Sequence, residues 1–331
     1  MEPGWMCLMQ ARCGWSRWLL LAILFSSSGA TCVRRSSPLP EFQPPVAFQN
    51  PPDLMQVVEV VNRSQAIEQL QSNSVSIRMS GVPGAIQSTL AWQRPKFFRL
   101  IGGGIAGKYF DIGSNHEVFW LEAREGLQPK LYYAQHEQYE AQMHRLVLPV
   151  SPLWLVEAMG IVAIDPYLVT EPPLLRADGN LEVRSSVPTA IGAYYRTLVI
   201  DPKFGYPRQV LLRDPQGRLL ANALMSKHQY YASVQYSLPH QVQVQLIPEG
   251  SPPLDMQLEV GNYGVNQIEG NDPNRWTMPS SRDNTPIDLV QLSQGATQSV
   301  QPPPTAPAYP YRDPRTSYRG WDQHSWPGLA R

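Results

Sequence analysis

The residues whose types and spacing offer chemistry come first. Gly102-Gly103-Gly104-Ile105-Ala106-Gly107 matches G-x-G-x-x-G, the spacing that cradles a pyrophosphate where a strand turns into a helix. Here Lys108-Tyr109-Phe110-Asp111-Ile112 reads as a strand and Gly113 follows, so a flexible hairpin connection is expected rather than a nucleotide site. His116, His136, His144, His228 and His240 are scattered, with no H-x-x-x-H spacing and no cysteine nearby, so no metal site is expected. Ser114 sits in Gly113-Ser114-Asn115, which is turn chemistry rather than a nucleophile elbow. Asp111 and Glu117 flank that turn, and solvated carboxylates are expected there rather than an acid–base pair. Nothing assembles into a catalytic constellation, no cofactor is implied, and the chain is not read as an enzyme.

Cys32 is the remaining reactive side chain, and its position carries information. Arg12 and Arg17 precede the apolar run Trp18–Phe25, and the small residues Ser26-Ser27-Ser28-Gly29-Ala30 follow, in the order of a secretory signal. The run is too short to span a bilayer, which takes about 20 residues. Two cleavages fit. Ser28-x-Ala30 gives a mature chain starting at Thr31. Gly29-Ala30-Thr31-Cys32 resembles a bacterial lipoprotein box, departing from it at Gly29 and Thr31, and gives an acylated Cys32. The other cysteines, Cys7 and Cys13, leave with the signal, so Cys32 has no partner to oxidise with. A lone thiol at that point reads as an acylation site. Acyl chains there would hold the protein to a membrane, each buried methylene contributing about 0.8 kcal/mol.

The elements that position these residues follow from composition and period. Lys+Arg 27 balances Asp+Glu 27, so the basic stripe of a nucleic-acid binder is missing. Residues 32–52 hold six prolines from Pro38 to Pro52 and form an extended linker after the lipidated cysteine. Asp53 is a helix cap for a stripe of Leu54, Val57, Val58, Val61, Ile67 and Leu70, predicting a helix to about Gln71 with a break near Asn62. A second short helix is expected over Pro152–Met159. Between and after them strands dominate. Val75, Ile77 and Met79 alternate with Ser76, Arg78 and Ser80; Val242, Val244 and Leu246 alternate with Gln241, Gln243 and Gln245; Leu254, Met256, Leu258 and Val260 alternate with Asp255, Gln257 and Glu259. Period-2 alternation means one buried and one wet face. Further strands are expected at Ile86–Trp92, Phe97–Ile101, Tyr109–Ile112, Glu117–Leu121, Lys130–Ala134, Leu181–Val187, Tyr194–Ile200, Arg208–Arg213, Arg218–Lys227 and Tyr230–Tyr236. So many strands in series predict a large antiparallel sheet, mainly β with a few helices, that must curl or be covered. From about residue 269 the pattern is lost, and 269–331 reads as a Pro-rich, disordered tail whose Tyr309, Tyr311, Tyr318, Trp321 and Trp326 could dock on a protein partner.

Trp92-Gln93-Arg94-Pro95-Lys96-Phe97-Phe98-Arg99-Leu100, followed by Asp111-Ile112-Gly113-Ser114-Asn115-His116-Glu117-Val118-Phe119-Trp120, resembles the signature of the LolA/LolB superfamily, envelope proteins that carry or receive lipoproteins. Leu131-Tyr132-Tyr133 and the tail also look like LolA-like lipoproteins of planctomycete-type bacteria. The resemblance covers about residues 53–268. It implies an incomplete antiparallel β-barrel with lid helices, and a bacterial envelope location, membrane-anchored and facing the periplasm, on the outer membrane. It also implies that Arg94 bonds to the lid backbone and gates a cavity. The expected apolar face of the curled sheet comprises Val75, Ile77, Met79, Leu90, Trp92, Phe98, Leu100, Trp120, Val244, Leu246, Met256 and Leu258. Such a face either holds a lipid or lipoprotein acyl chains, or is filled by the protein's own side chains, leaving the tail as the working part.

Overall fold

The structure is a computed structural model that describes residues 44–105, 107–125, 128–140, 150–189, 192–249, 252–268, 272, 274–280 and 285–292. The expected signal segment, the expected acylation site at Cys32 and residues 293–331, most of the expected tail, lie outside the described residues. Everything below concerns the unit Pro44–Arg331.

In chain order the described elements are α1 (Leu54–Val61), a 3-10 turn (Asn62–Ala66), β1 (Gln69–Met79), β2 (Ile86–Gln93), β3 (Phe97–Gly104), β4 (Gly107–Ser114), β5 (Val118–Glu125), β6 (Gln128–Gln135), α2 (His136–Glu140), α3 (Trp154–Ala158), a 3-10 turn (Pro166–Leu168), β7 (Leu174–Leu175), β8 (Leu181–Thr189), β9 (Gly192–Ile200), β10 (Pro207–Arg213), β11 (Leu219–Tyr231), β12 (Tyr236–Leu246), β13 (Leu254–Val260), β14 (Gly264–Val265) and β15 (Ile287–Asp288). They form one sheet in the order β15-β6-β5-β4-β3-β2-β1-β13-β12-β11-β10-β9-β8-β7, with β14 also paired to β1. Two antiparallel meanders, β1–β6 and β8–β13, are therefore stitched together by β1 and β13, with Val75 opposite Val260 and Met79 opposite Met256. The sheet is curled and unclosed: its edge strands β15 and β7 pair with β6 and β8 and not with each other.

Register turns alternation into a continuous inner face. Leu70 lies opposite Trp92, and Trp92 opposite Phe98. Met79 lies opposite Met256, and Met256 opposite Val244. Because the side-chain period is two, each antiparallel pairing passes the apolar set to the same face of the next strand. The glycine run that matches the nucleotide motif is the β3–β4 hairpin: Gly102 pairs with Phe110 and Gly104 with Gly107. A Cβ at Gly102 would stand 2.3 Å from the Phe110 ring, so the ring fills the space a side chain would take.

The inner face is covered by two pieces of chain. α1 turns Val57, Val58 and Val61 into the core, and Asp53 caps it: its Oδ1 accepts from the Gln56 N–H at 2.8 Å while Gln56 Oε1 accepts from the Asp53 N–H at 3.0 Å. The second piece runs over residues 150–164, where Leu155, Val156, Met159, Ile161, Val162 and Ile164 all join the same buried cluster.

Three expectations are corrected. The first helix ends at Val61, and after a 3-10 turn the chain is already strand at Gln69. Ile67 and Leu70, assigned to the helical stripe, are buried from an extended backbone, and β1 pairs with β2 from Gln69 onward. The second helix spans only Trp154–Ala158 rather than Pro152–Met159, preceded by Leu153. Third, 230–236 is no separate strand: β11 runs to Tyr231, turns over 232–235, and returns as β12 in one long hairpin. Gln235 takes the positive φ of 50° that the tight reversal requires.

Candidate functional site

The sheet brings eleven of the twelve predicted cavity residues to one face. Val75, Ile77, Leu90, Trp92, Phe98, Leu100, Val244, Leu246, Met256 and Leu258 share a single buried cluster, and Met79 packs against it half-buried. Trp120 is the exception. Gly113 stands opposite Trp120 while Ser114 stands opposite Phe119, so Phe119 points inward and Trp120 outward. Both neighbours are large and aromatic, and alternation in the sequence does not say which is inside. Trp120 instead lies across Gly113, where a Cβ would be 2.0 Å from Cζ2. Its Nε1 faces Asp111 Oδ1 at 3.4 Å, and the Arg99 guanidinium sits 5.8 Å from its ring.

The lid is held by a few hydrogen bonds around Arg94. This side chain leaves the end of β2, with its guanidinium 5.1 Å from the Trp92 ring. It donates from Nε to the Ile67 carbonyl at 2.8 Å and from Nη2 to the Ser64 carbonyl at 3.0 Å. The Arg94 N–H adds a bond to Glu68 O at 2.9 Å. These carbonyls close the 3-10 turn that follows α1, where a cation also meets the negative end of the helical dipoles. Burial lowers the Arg94 pKa, and the Glu68 charge opposes that shift.

The two lid pieces are tied to each other by Asn62 and Ser64, and Asn266 ties the first of them to the chain after β14. Asn62 Nδ2 donates to Ile164 O at 2.9 Å, and Asn62 Oδ1 accepts from Ile164 N–H at 2.7 Å. Ser64 Oγ donates to Val162 O. Asn266, at φ 54°, accepts from the Glu68 and Gln69 N–H groups and donates to Ala66 O at 2.8 Å. The signal available for Asn62 was its place at the break of the helical stripe. Asn266 had none, because its partners lie almost two hundred residues away.

A cleft of about 440 Å³ lies between the β1–β2 turn and the paired strands β11–β13. Its lining is mainly the outer row of the sheet, Arg78, Asn222, Leu224, Gln243, Asp255 and Gln257 among it, with Met79, Val244 and Met256 of the inner row and Val82 and Pro83 of the turn beside them. Of the predicted cavity residues, Met79, Val244 and Met256 line this cleft.

The groups weighed for chemistry are placed in structural roles. Asp111 is buried, accepting from Arg99 at 2.8 and 3.1 Å and pairing with Lys108 at 3.2 Å, rather than solvated as expected. Arg99 Nη1 in turn donates to the Asn274 and Arg275 carbonyls at 3.0 and 2.7 Å. Ser114 Oγ stands 3.2 Å from His136 Nε2, but that nitrogen is also 2.9 Å from Asn115 O. A nitrogen donating to a carbonyl cannot take a serine proton, so this pair does not form a nucleophile. Among the described residues no group of three or more His, Cys, Asp or Glu is arranged to hold a metal ion.

No protein-family model matches the chain, and no curated protein matches it. Solved structures do. The chain is similar to a LolA superfamily protein from Nitrosomonas europaea, at 12% identity and a TM-score of 0.42, over 68% of this chain and 98% of that one. It is similar to a putative outer membrane lipoprotein-sorting protein domain from Vibrio parahaemolyticus, at 10% identity and a TM-score of 0.36, over 66% and 95%. It is also similar to a DUF1329 family protein from Desulfovibrio piger, at 12% identity and a TM-score of 0.42, over 68% and 97%. No residue's role is carried over from a likeness of this degree.

Proposed function

We propose that this chain is an exported lipoprotein of the bacterial envelope, anchored through an acylated Cys32, whose curled sheet takes an apolar ligand, a lipid or lipoprotein acyl chains, on its inner face. The observation that carries the reading is the nature of the cover. The apolar face from Leu70 to Leu258 is closed by α1 and residues 150–164, which add apolar side chains but are fastened through Asn62, Ser64, Arg94 and Asn266. A cover held at a few polar points can lift as a unit. Arg94 is the gating residue in this reading, because it holds the junction from which α1 would swing.

The test is direct. The exported chain carrying Cys32→Ser, freed of lipid and incubated with micromolar diacyl phospholipid, is expected to retain one lipid in native mass spectrometry. Finding no bound species would defeat the reading. The mass of the mature N-terminus separates an acylated Cys32 from a free Thr31.

A second reading is favoured by the same cover. The lid side chains already occupy the inner face, as in a plugged barrel, which leaves the Pro/Tyr/Trp segment 293–331 to contact a protein partner. Deleting residues 293–331 tells the two apart: an envelope defect with lipid retention unchanged selects the second.

A further inference from the structure

The chain between the tether and the lid is not free along its whole length. Residues 44–50 lie against the turn that joins β9 to β10. The Ala47 and Phe48 N–H groups both donate to Lys203 O, at 2.8 and 3.2 Å. The Phe48 side chain is 8% exposed and belongs to the main core, whereas Val46 beside it is 49% exposed. The receiving turn is rigid. Asp201 Oδ1 accepts from the Lys203 and Phe204 N–H groups at 2.9 and 2.7 Å, and the Gly205 N–H donates to Asp201 O at 3.0 Å. Gly205 has φ 75°, and a Cβ there would stand 2.3 Å from Val60 Cγ1 of α1 and 3.3 Å from Phe48 Cε2. One glycine therefore lets the turn touch the linker and the lid helix at once.

Two further facts bear on movement. Pro51 and Pro52 join Phe48 to the Asp53 cap of α1, and their fixed φ angles make that link stiff. A space of about 270 Å³ lies between residues 47–50 and the α1 side chains Gln56, Glu59 and Val60 together with Arg63, so the helix is not packed tight on this flank.

We propose that residues 44–52 are a buckle between tether and lid: with Phe48 seated against Gly205, α1 is insulated from the membrane tether, and unseating Phe48 frees α1 to leave the inner face. The proposal rests on the tethered, lidded reading given above. It predicts that a pull on the linker, or a surface that competes for Phe48, opens the lid.

Amide hydrogen exchange on the exported chain, as the cell produces it, tests this without any ligand. Two variants unseat the strap: Phe48→Ala removes the anchor, and Ala47→Pro removes one N–H bonded to Lys203 while keeping the Phe48 side chain. Each is expected to raise exchange at Val57, Val58 and Val61 at least tenfold while β11 and β12 stay protected. Phe48→Leu, which keeps an apolar anchor, is expected to stay within a few-fold of the parent. Unchanged α1 exchange in Ala47→Pro, or a rise only in step with β11 and β12, would overturn the proposal. If α1 loosens and no lipid is retained, the ligand reading fails and the buckle stands; if α1 stays protected, the buckle fails whatever lipid does.

Discussion

At the scale of single residues, Arg94 and His228 show how polar groups are placed for opposite ends. Arg94 offers a charged donor to two carbonyls at the root of the lid. Arg94→Ala leaves both without that donor, at about 1–3 kcal/mol for each carbonyl that water does not reach. The expected outcome is a loss of about 2–4 kcal/mol in urea unfolding, with amide exchange rising first in residues 62–68. Arg94→Lys keeps the charge but loses the fork, and is expected to recover only part. His228 is the reverse case. Its ring stacks on Tyr206 at 4.0 Å, its Nε2 donates to Pro207 O at 2.8 Å, and burial pushes its pKa down to about 4, with Arg208 adding to the shift and Asp201 opposing it. The unfolded chain takes up that proton near pH 6.5. Between about pH 6.5 and 4 the unfolded state therefore binds more protons, and stability falls as pH falls. The His228 contribution is fully present above about pH 7 and is lost by about pH 4, up to about 3 kcal/mol. Urea midpoints at pH 7.5 and 4.5 should differ less in His228→Gln than in the parent; an equal difference would remove His228 from the account.

At the scale of elements, the strands were legible and the joints were not. The alternating runs at 75–79, 242–246 and 254–260 appear as β1, β12 and β13, because alternation against a single core is a local signal. The first helix starts at its Asp53 cap and breaks at Asn62 as expected, and only its extension to Gln71 fails, because Ile67 and Leu70 fall on helical spacing by accident. Their burial comes from β1, whose start is fixed by β2 and by Asn266. Phe119 and Trp120 were ambiguous for a related reason: two aromatic neighbours satisfy either register, and only pairing with β4 assigns a face. Gly113 is the consequence of that assignment. Gly113→Ala would drive a Cβ into the Trp120 indole, and overpacking of this kind costs about 1–3 kcal/mol. The expected outcome is a lower Tm with a changed near-ultraviolet signal from Trp120, while Gly84→Ala, where nothing stands within 4 Å, should leave that signal unchanged.

At the scale of the whole molecule, part of the stretch read as tail completes the domain. Trp276 packs on Phe97 at 5.3 Å, Arg99 binds the carbonyls of residues 274 and 275, and β15 runs parallel to β6 with Ile287 opposite Tyr132. Leu289 and Val290 then cover a second apolar cluster of Phe119, Ala134 and Tyr139, apart from the main core. Truncation after Gly270 should uncover both that cluster and the edge of β6. An unpaired apolar edge associates with another. The truncated chain is expected to elute as dimers and larger species in size-exclusion chromatography with light scattering, and the chain ending at Leu292 as the parent does.

The sequence by itself determined what depends on neighbours along the chain. The cap at Asp53, the alternating strands and the hairpin glycines at 102–107 are all short-range patterns, each fixed by a few adjacent residues. The tertiary structure alone decided what depends on residues far apart: that β1 joins β13, that Trp120 faces outward, that Asn62 fastens the lid, and that residues 274–276 and 287–290 return to the first meander. The physical reason is the same in each case. A hydrogen bond or a packed ring constrains both partners only once the fold has brought them together, and a polar side chain in sequence does not announce which distant carbonyl it will meet.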